Sequence, residues 1–379
     1  MFLRRKEWRT HRLQRAVCIG AVFAAFCLCG APLRLMAAPA VAQEDTEGDR
    51  EGKLLLAYEE YQQRFHGIER LEQMEDAGFS IITEQIFFIE TERYGMVRLV
   101  PAIEEVYSRL ALFLVTEEGA VVYKTEQLET NYRIMGELRQ PRQKISAVAF
   151  QDMNRDGLTD VILITSLDNS DSSYNASLVG DVLFQSPEGF YRDYRISDKI
   201  NRFGMNKSAE CIIAFVRDGA STEFLHTATT KRELLQNGFV IAHEQNYPRR
   251  FEKLGYLEVV PGTYTIAEFS FFMIYLVDEQ GVIVWSFQPM GDYDNLYALK
   301  GINCSDIDGD GMKDMIVLAR YSYAGENREL MTVSDYTLYY QRTGGFYEDT
   351  QVRESVVCTE EQTMAELIEK ARAYWGWKS

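Results

Sequence analysis

The sequence predicts a mainly β fold, in which a duplicated module of short antiparallel strands forms four four-stranded sheets with flanking helices. Two observations carry this. Runs of Ile, Val, Phe and Tyr of strand length alternate with turn residues, and four segments of the first half recur in the same order in the second. Gly78-Phe79-Ser80-Ile81 with Glu84-Gln85 returns as Gly238-Phe239-Val240-Ile241 with Glu244-Gln245, and the stretch from Phe113 to Tyr123 returns as Tyr275 to Trp285. The stretch from Asp152 to Asp160 returns as Asp306 to Asp314, and Gln185, Gly189-Phe190-Tyr191 and Asp193 return as Gln341, Gly345-Phe346-Tyr347 and Asp349. Offsets of 160, 162, 154 and 156 residues keep all four collinear, which requires a common ancestral module.

Read from the start, Arg4, Arg5, Lys6, Arg9, Arg12 and Arg15 precede an apolar run from Ala16 to Leu33, and small residues follow at Ala38, Ala40 and Ala42. This is the layout of a secretory signal cut after Ala42. Left uncleaved, the same run would anchor the rest outside a membrane. Next, Leu54, Tyr58, Tyr61, Phe65, Ile68 and Leu71 recur at three to four residues, which predicts an amphipathic helix ending toward Gly78.

Strands are expected near 79–90, 95–101, 108–116 and 119–125, then near 145–150, 161–166, 178–186 and 190–195, a pattern of sandwiches or propellers. Thr116-Glu117-Glu118-Gly119 and Asp278-Glu279-Gln280-Gly281 read as hairpin loops whose glycine takes positive φ. A short helix is expected over Lys231 to Asn237 and a terminal one from about Glu361 to Tyr374. The expected divisions are a signal peptide (1–42), a helical segment (43–77), a first β module (78–199), a bridging segment (200–237), a second β module (238–355) and a C-terminal helix (356–379).

The formal net charge is −17, and about −23 once the leader's +6 is set apart. Such a balance opposes binding to phosphate backbones and suits divalent cations. Nucleic acid is therefore excluded as a partner. Beyond the leader only Cys211, Cys304 and Cys358 remain, too few for a disulfide scaffold and without zinc-type spacing.

The strongest chemistry lies in two loops. Asp152, Asn154, Asp156 and Asp160 place oxygens at positions one, three, five and nine, and Asp306, Asp308, Asp310 and Asp314 repeat them. A hard cation such as Ca²⁺ takes six to eight oxygens, and alternate side chains of a tight loop can converge on one. Gly157 and Gly311 at position six permit the sharp turn. Leu158 and Met312 at position seven would add backbone carbonyls. Position twelve holds Leu163 and Val317, so the bidentate glutamate of an EF-hand is missing, and the flanking runs are strand-like. With four Asp against three, the second loop is expected to bind more tightly.

A loop of the form Asp-x-Asp/Asn-x-Asp-Gly-x-x-Asp between apolar strands resembles the calcium-binding FG-GAP and VCBS-type repeats of integrin-like β-propellers. The resemblance covers about 20 residues twice. It implies a β-propeller-like arrangement of the sheets and calcium-binding roles for the eight Asp and Asn positions just named. The spacing departs from the family: the loops stand 154 residues apart, so alternate four-strand sets would carry metal.

No catalytic pattern emerges. His66, His226 and His243 are scattered, and HExxH, GxSxG, Walker and GxGxxG motifs are absent. Tyr336, Tyr339, Tyr340, Trp375 and Trp377 could stack on sugar rings, but strands favour aromatics for packing. The expected protein is secreted or displayed at the cell surface, holds two structural Ca²⁺ ions, and binds an extracellular protein or glycan without catalysis. The alternatives are a secreted hydrolase of polysaccharide or peptide with structural calcium, and a membrane-tethered extracytoplasmic sensor domain if the leader persists.

Overall fold

A computed structural model describes residues 58–132, 142–168, 178–291, 293–324 and 329–376. The leader, Leu54 and Trp377 lie outside them. Contacts divide the chain between Glu59 and Glu60, and every sheet belongs to the unit that begins at Glu60. Among the described residues no helix is long and apolar enough to cross a membrane.

The fold is mainly β, with four antiparallel sheets and a few helices. The first sheet holds β1 (Phe79–Ile81), β2 (Phe87–Thr91), β3 (Gly95–Glu104), β4 (Leu110–Val115) and β5 (Val121–Thr125). The second is a meander of β6 (Arg142–Gln151), β7 (Asp160–Asp168), β8 (Leu178–Ser186) and β9 (Gly189–Arg192). The third holds β10 (Val240–Ile241), β11 (Tyr247–Phe251), β12 (Gly255–Ile266), β13 (Phe269–Val277) and β14 (Ile283–Phe287), in the order of the first. The fourth is a meander of β15 (Asn295–Ser305), β16 (Asp314–Ala324), β17 (Leu330–Arg342) and β18 (Gly345–Glu348).

Two sheets have five strands rather than the expected four. The single strand expected near 79–90 breaks at a 3-10 turn over Thr83–Gln85, so β1 and β2 lie end to end along β3. The break follows from a contact with the neighbouring sheet. Gln85 turns its amide onto the backbone of β6, donating from Nε2 to the Ile145 carbonyl at 2.6 Å and accepting the Ile145 N–H at 3.1 Å. Gln245 accepts the Ile302 N–H at 3.3 Å at the corresponding break between β10 and β11. The glutamine thus joins neighbouring sheets at the cost of one strand's continuity.

Central strands are buried on both faces, which explains why they read as unbroken apolar runs. Along β4, Leu110, Leu112 and Leu114 meet Val161 and Leu163 of β7 and Leu183 of β8. The opposite face of β4 carries Phe113, in edge contact with Phe65 and Phe79. Along β16, Met315, Val317, Ala319 and Tyr321 meet Phe272, Ile274 and Leu276 of β13, while Ile316 and Leu318 face the terminal helix. The sheets therefore pack in pairs, first on second and third on fourth.

Helices cover the remaining faces. The helix expected over 54–71 ends by Gly67, because the chain then turns into extended contact with β5: Arg70 bridges Ala120, and the Val121 N–H reaches the Glu69 carbonyl at 2.8 Å. The expected helix near 231–237 is observed as Lys231–Gln236, and the terminal one as Met364–Tyr374. Each starts in a capping box, Thr230 with Glu233 and Thr363 with Glu366, satisfying donors that helix starts leave open. Ahead of Lys231 the bridging segment carries no helix expected from the sequence, yet it contains Ala209–Val216 and Phe224–Thr227. The first is apolar except for Glu210 and packs Cys211 and Ile212 between the second sheet and Ile266 of β12, so its sequence carries almost no polar periodicity to betray it.

Gly119 and Gly281 take φ of 82° and 84° in their hairpins, each beside a register shift. Among the described residues Cys211, Cys304 and Cys358 are unpaired. Tyr336, Tyr339 and Tyr340 are buried, and Trp375 donates from Nε1 to the Tyr340 hydroxyl at 3.0 Å.

Two outcomes are expected from this packing. Leu163→Ala should cost about 2–5 kcal/mol in urea unfolding, while Phe88→Ser at an exposed site should cost about 0.5 kcal/mol or less. The second concerns buried Asp181, which accepts the Ser197 hydroxyl and the Glu129 N–H, with Arg192 4.0 Å away. Burial pushes its carboxyl up to about 6. Between about pH 4 and 6 the unfolded chain releases this proton while the folded chain keeps it, so stability should fall as pH rises through that window. Asp181→Asn should flatten that slope in unfolding curves taken across the window.

Candidate metal centres

Both acidic loops connect the first two strands of a meander, Asp152–Thr159 between β6 and β7 and Asp306–Lys313 between β15 and β16. Each loop wraps around its first aspartate. Asp152 Oδ1 accepts the Arg155 N–H at 2.6 Å, and its Oδ2 accepts the Gly157 N–H at 2.9 Å. Asp306 takes the Gly309 N–H at 2.7 Å and the Gly311 N–H at 2.8 Å in the same way. Asp156 and Asp310 accept the N–H groups of Leu158 and Met312, each at 2.8 Å.

The sixth residue is left-handed, as the sequence predicts, with φ of 85° at Gly157 and 83° at Gly311. The fourth is left-handed too, which the sequence reading missed. Gly309 reaches 83° without strain, but Arg155 sits at 64°, where a side chain costs on the order of 1 kcal/mol.

The ninth residue anchors the loop. Asp160 is fully buried and accepts the Met153 N–H and the Gln185 N–H, both at 2.7 Å. Asp314 accepts those of Ile307 at 2.8 Å and Gln341 at 3.0 Å. One carboxylate so ties the loop's entry to the third strand of the sheet. Burial pushes Asp160 up to about 6 and Asp314 up to about 7; the backbone donors work against this, and the neighbouring loop carboxylates add to it.

A glutamate not singled out in the sequence completes each arrangement. Glu92, in the turn between β2 and β3, accepts the Thr159 N–H at 2.9 Å, its hydroxyl at 3.0 Å and the Gln185 amide at 2.7 Å. Glu252, between β11 and β12, accepts the Lys313 N–H at 2.8 Å and the Gln341 amide at 3.3 Å, and pairs with the Lys313 ammonium. Burial works against the Glu252 charge, but Lys313 holds the carboxyl down to about 2. The signal existed: Glu92-Arg93-Tyr94-Gly95 and Glu252-Lys253-Leu254-Gly255 stand at the 160-residue offset of Gly78 and Gly238.

The loops differ in how closely their carboxylates gather. Asp306, Asp308 and Asp314 each offer an oxygen within 4.8 Å of the others, the one such group among the described residues. Three buried or half-buried carboxylates at that separation are oxygen donors of the kind that could hold a hard cation. In the first loop Asn154 replaces one carboxylate and donates from Nδ2 to Asp156 Oδ2 at 2.9 Å.

No protein-family model matches the chain, and no curated protein matches it. Glu252→Ala should lower stability by about 1 kcal/mol through the lost contacts to Lys313 and Gln341, read as a shift of the urea midpoint at constant slope.

Proposed function

We propose that this protein binds calcium at its two strand-connecting loops and serves a non-catalytic binding role outside the cytoplasm, secreted or held at the cell surface. The observation that carries the reading is the gathering of Asp306, Asp308 and Asp314 in one loop whose sequence and backbone turns the other loop repeats. The FG-GAP and VCBS-type resemblance belongs to this proposal, as does the secretory leader.

Asp306, Asp308, Asp310 and Asp314, with the Met312 carbonyl, would hold the second ion. Asp152, Asn154, Asp156, Asp160 and the Leu158 carbonyl would hold the first. A bound calcium ion supplies positive charge among carboxylates that otherwise repel one another. The chain's own part is to present oxygens on a loop already fixed at both ends. Asp160 and Asp314 fix its ends to the sheet, and Glu92 and Glu252 fix the eighth residue to the neighbouring sheet. A loop held in this way keeps the paired sheets in register, and the exposed turns around it become a rigid recognition surface for an extracellular protein or glycan.

Calorimetric titration of the purified chain, joined to thermal unfolding, tests the reading. Two calcium sites are expected, the second loop binding more tightly, with a raised melting temperature. Asp156→Ala and Asp310→Ala should each abolish one site. Absence of both binding and stabilisation at millimolar calcium would leave the loops as acidic turns.

A further inference from the structure

We propose that Arg342 is a tethered cation that occupies the second loop when no metal does, so that calcium must displace it; this rests on the calcium reading above. Arg342 ends β17 and follows Gln341, whose N–H is held by Asp314. Its Nη2 donates to Asp308 Oδ2 at 2.5 Å and its Nη1 to Asp310 Oδ2 at 2.9 Å. Nη1 also reaches the Gln341 carbonyl at 2.8 Å, and the guanidinium lies 5.0 Å from the centre of the Tyr340 ring. The planar group is thus held on three sides, facing the loop's third and fifth residues. Those are two of the carboxylates a cation would need.

The other module supplies the contrast. The position corresponding to Arg342, at the 156-residue offset, is Ser186, whose hydroxyl donates to the Gly189 carbonyl at 2.9 Å. In that module Asn154 stands where Asp308 does, and it bonds Asp156 directly. Its own arginine, Arg155, is turned outward to the Arg217 carbonyl at 3.2 Å. The loop with the additional carboxylate is therefore the loop with a guanidinium on it. With Arg155 and Lys313 counted, residues 152–160 carry a formal charge of −2 and residues 306–314 carry −3, which Arg342 brings to −2. A guanidinium bridging two carboxylates relieves their repulsion in the metal-free chain and must release them to an incoming ion. Arg342 would then set the calcium concentration at which the second loop fills, and among the described residues the first loop has no such competitor.

The test compares the parent, Arg342→Ser and Arg342→Lys, all in an Asp156→Ala background so that the second loop alone titrates. Calcium affinity is measured by calorimetry, and melting temperature is measured in chelator and in calcium. The expected result for Arg342→Ser is a rise in calcium affinity of about fivefold, with a lower melting temperature in chelator that calcium restores. Arg342→Lys, which keeps the charge but not the two-pronged contact, should fall between. Unchanged or weakened affinity in Arg342→Ser overturns the inference while leaving the calcium reading standing. If none of the three takes up calcium at millimolar concentration, the calcium reading fails and this inference with it.

Discussion

Burial of the central strands on both faces is the constraint on which the rest of this structure depends. β4, β7, β13 and β16 each offer one apolar face to a partner sheet and the other to a helix or an aromatic layer. An antiparallel sheet left open on one side alternates apolar and polar residues; these do not, so every sheet needs cover on both sides. The pairing of sheets meets half of that need. The helices between and after the modules meet the other half, which is why the bridging segment folds into apolar helices instead of running as a loop. An apolar helix such as Ala209–Val216, with Cys211 and Ile212 buried, is thus a consequence of the sheets it packs between.

Within that frame the acidic loops are held with unusual completeness for surface turns. Their first aspartates organise the turn, their last bind the sheet, and a glutamate from the adjacent sheet fixes the residue between. The loop is a joint between two sheets as well as a connection between two strands. Burying Asp160 and Asp314 disfavours their charge, and the pairs of backbone donors offset part of that. A carboxylate in such a place is well used when positive charge lies near it.

The two modules solve this charge problem differently. One replaces a carboxylate by Asn154, whose amide can donate to its neighbour; the other keeps the carboxylate and brings Arg342 across from β17. The two loops follow the same backbone route, and differences at corresponding positions, Asn154 against Asp308 and Ser186 against Arg342, give them separate electrostatics. Gly309 at the fourth position spares the second loop the left-handed strain that Arg155 carries in the first.

The sequence by itself determined the β class, the strand runs, the hairpin glycines and the placing of oxygen-bearing side chains at loop positions one, three, five and nine, of which the second loop gathers one, three and nine. Those features are written in local periodicity and turn chemistry, which neighbouring residues alone decide. The break of the edge strand at Thr83–Gln85 was decided by tertiary structure, because it follows from Gln85 reaching Ile145 sixty residues later. The roles of Glu92, Glu252 and Arg342 were likewise decided by tertiary structure. Each acts on loop residues 32 or more positions away along the chain, and only packing of the strands brings those charges together. Charge interactions fall with distance in space and are blind to distance in sequence, so the oxygens of a loop can be read from its own residues, while what balances them cannot.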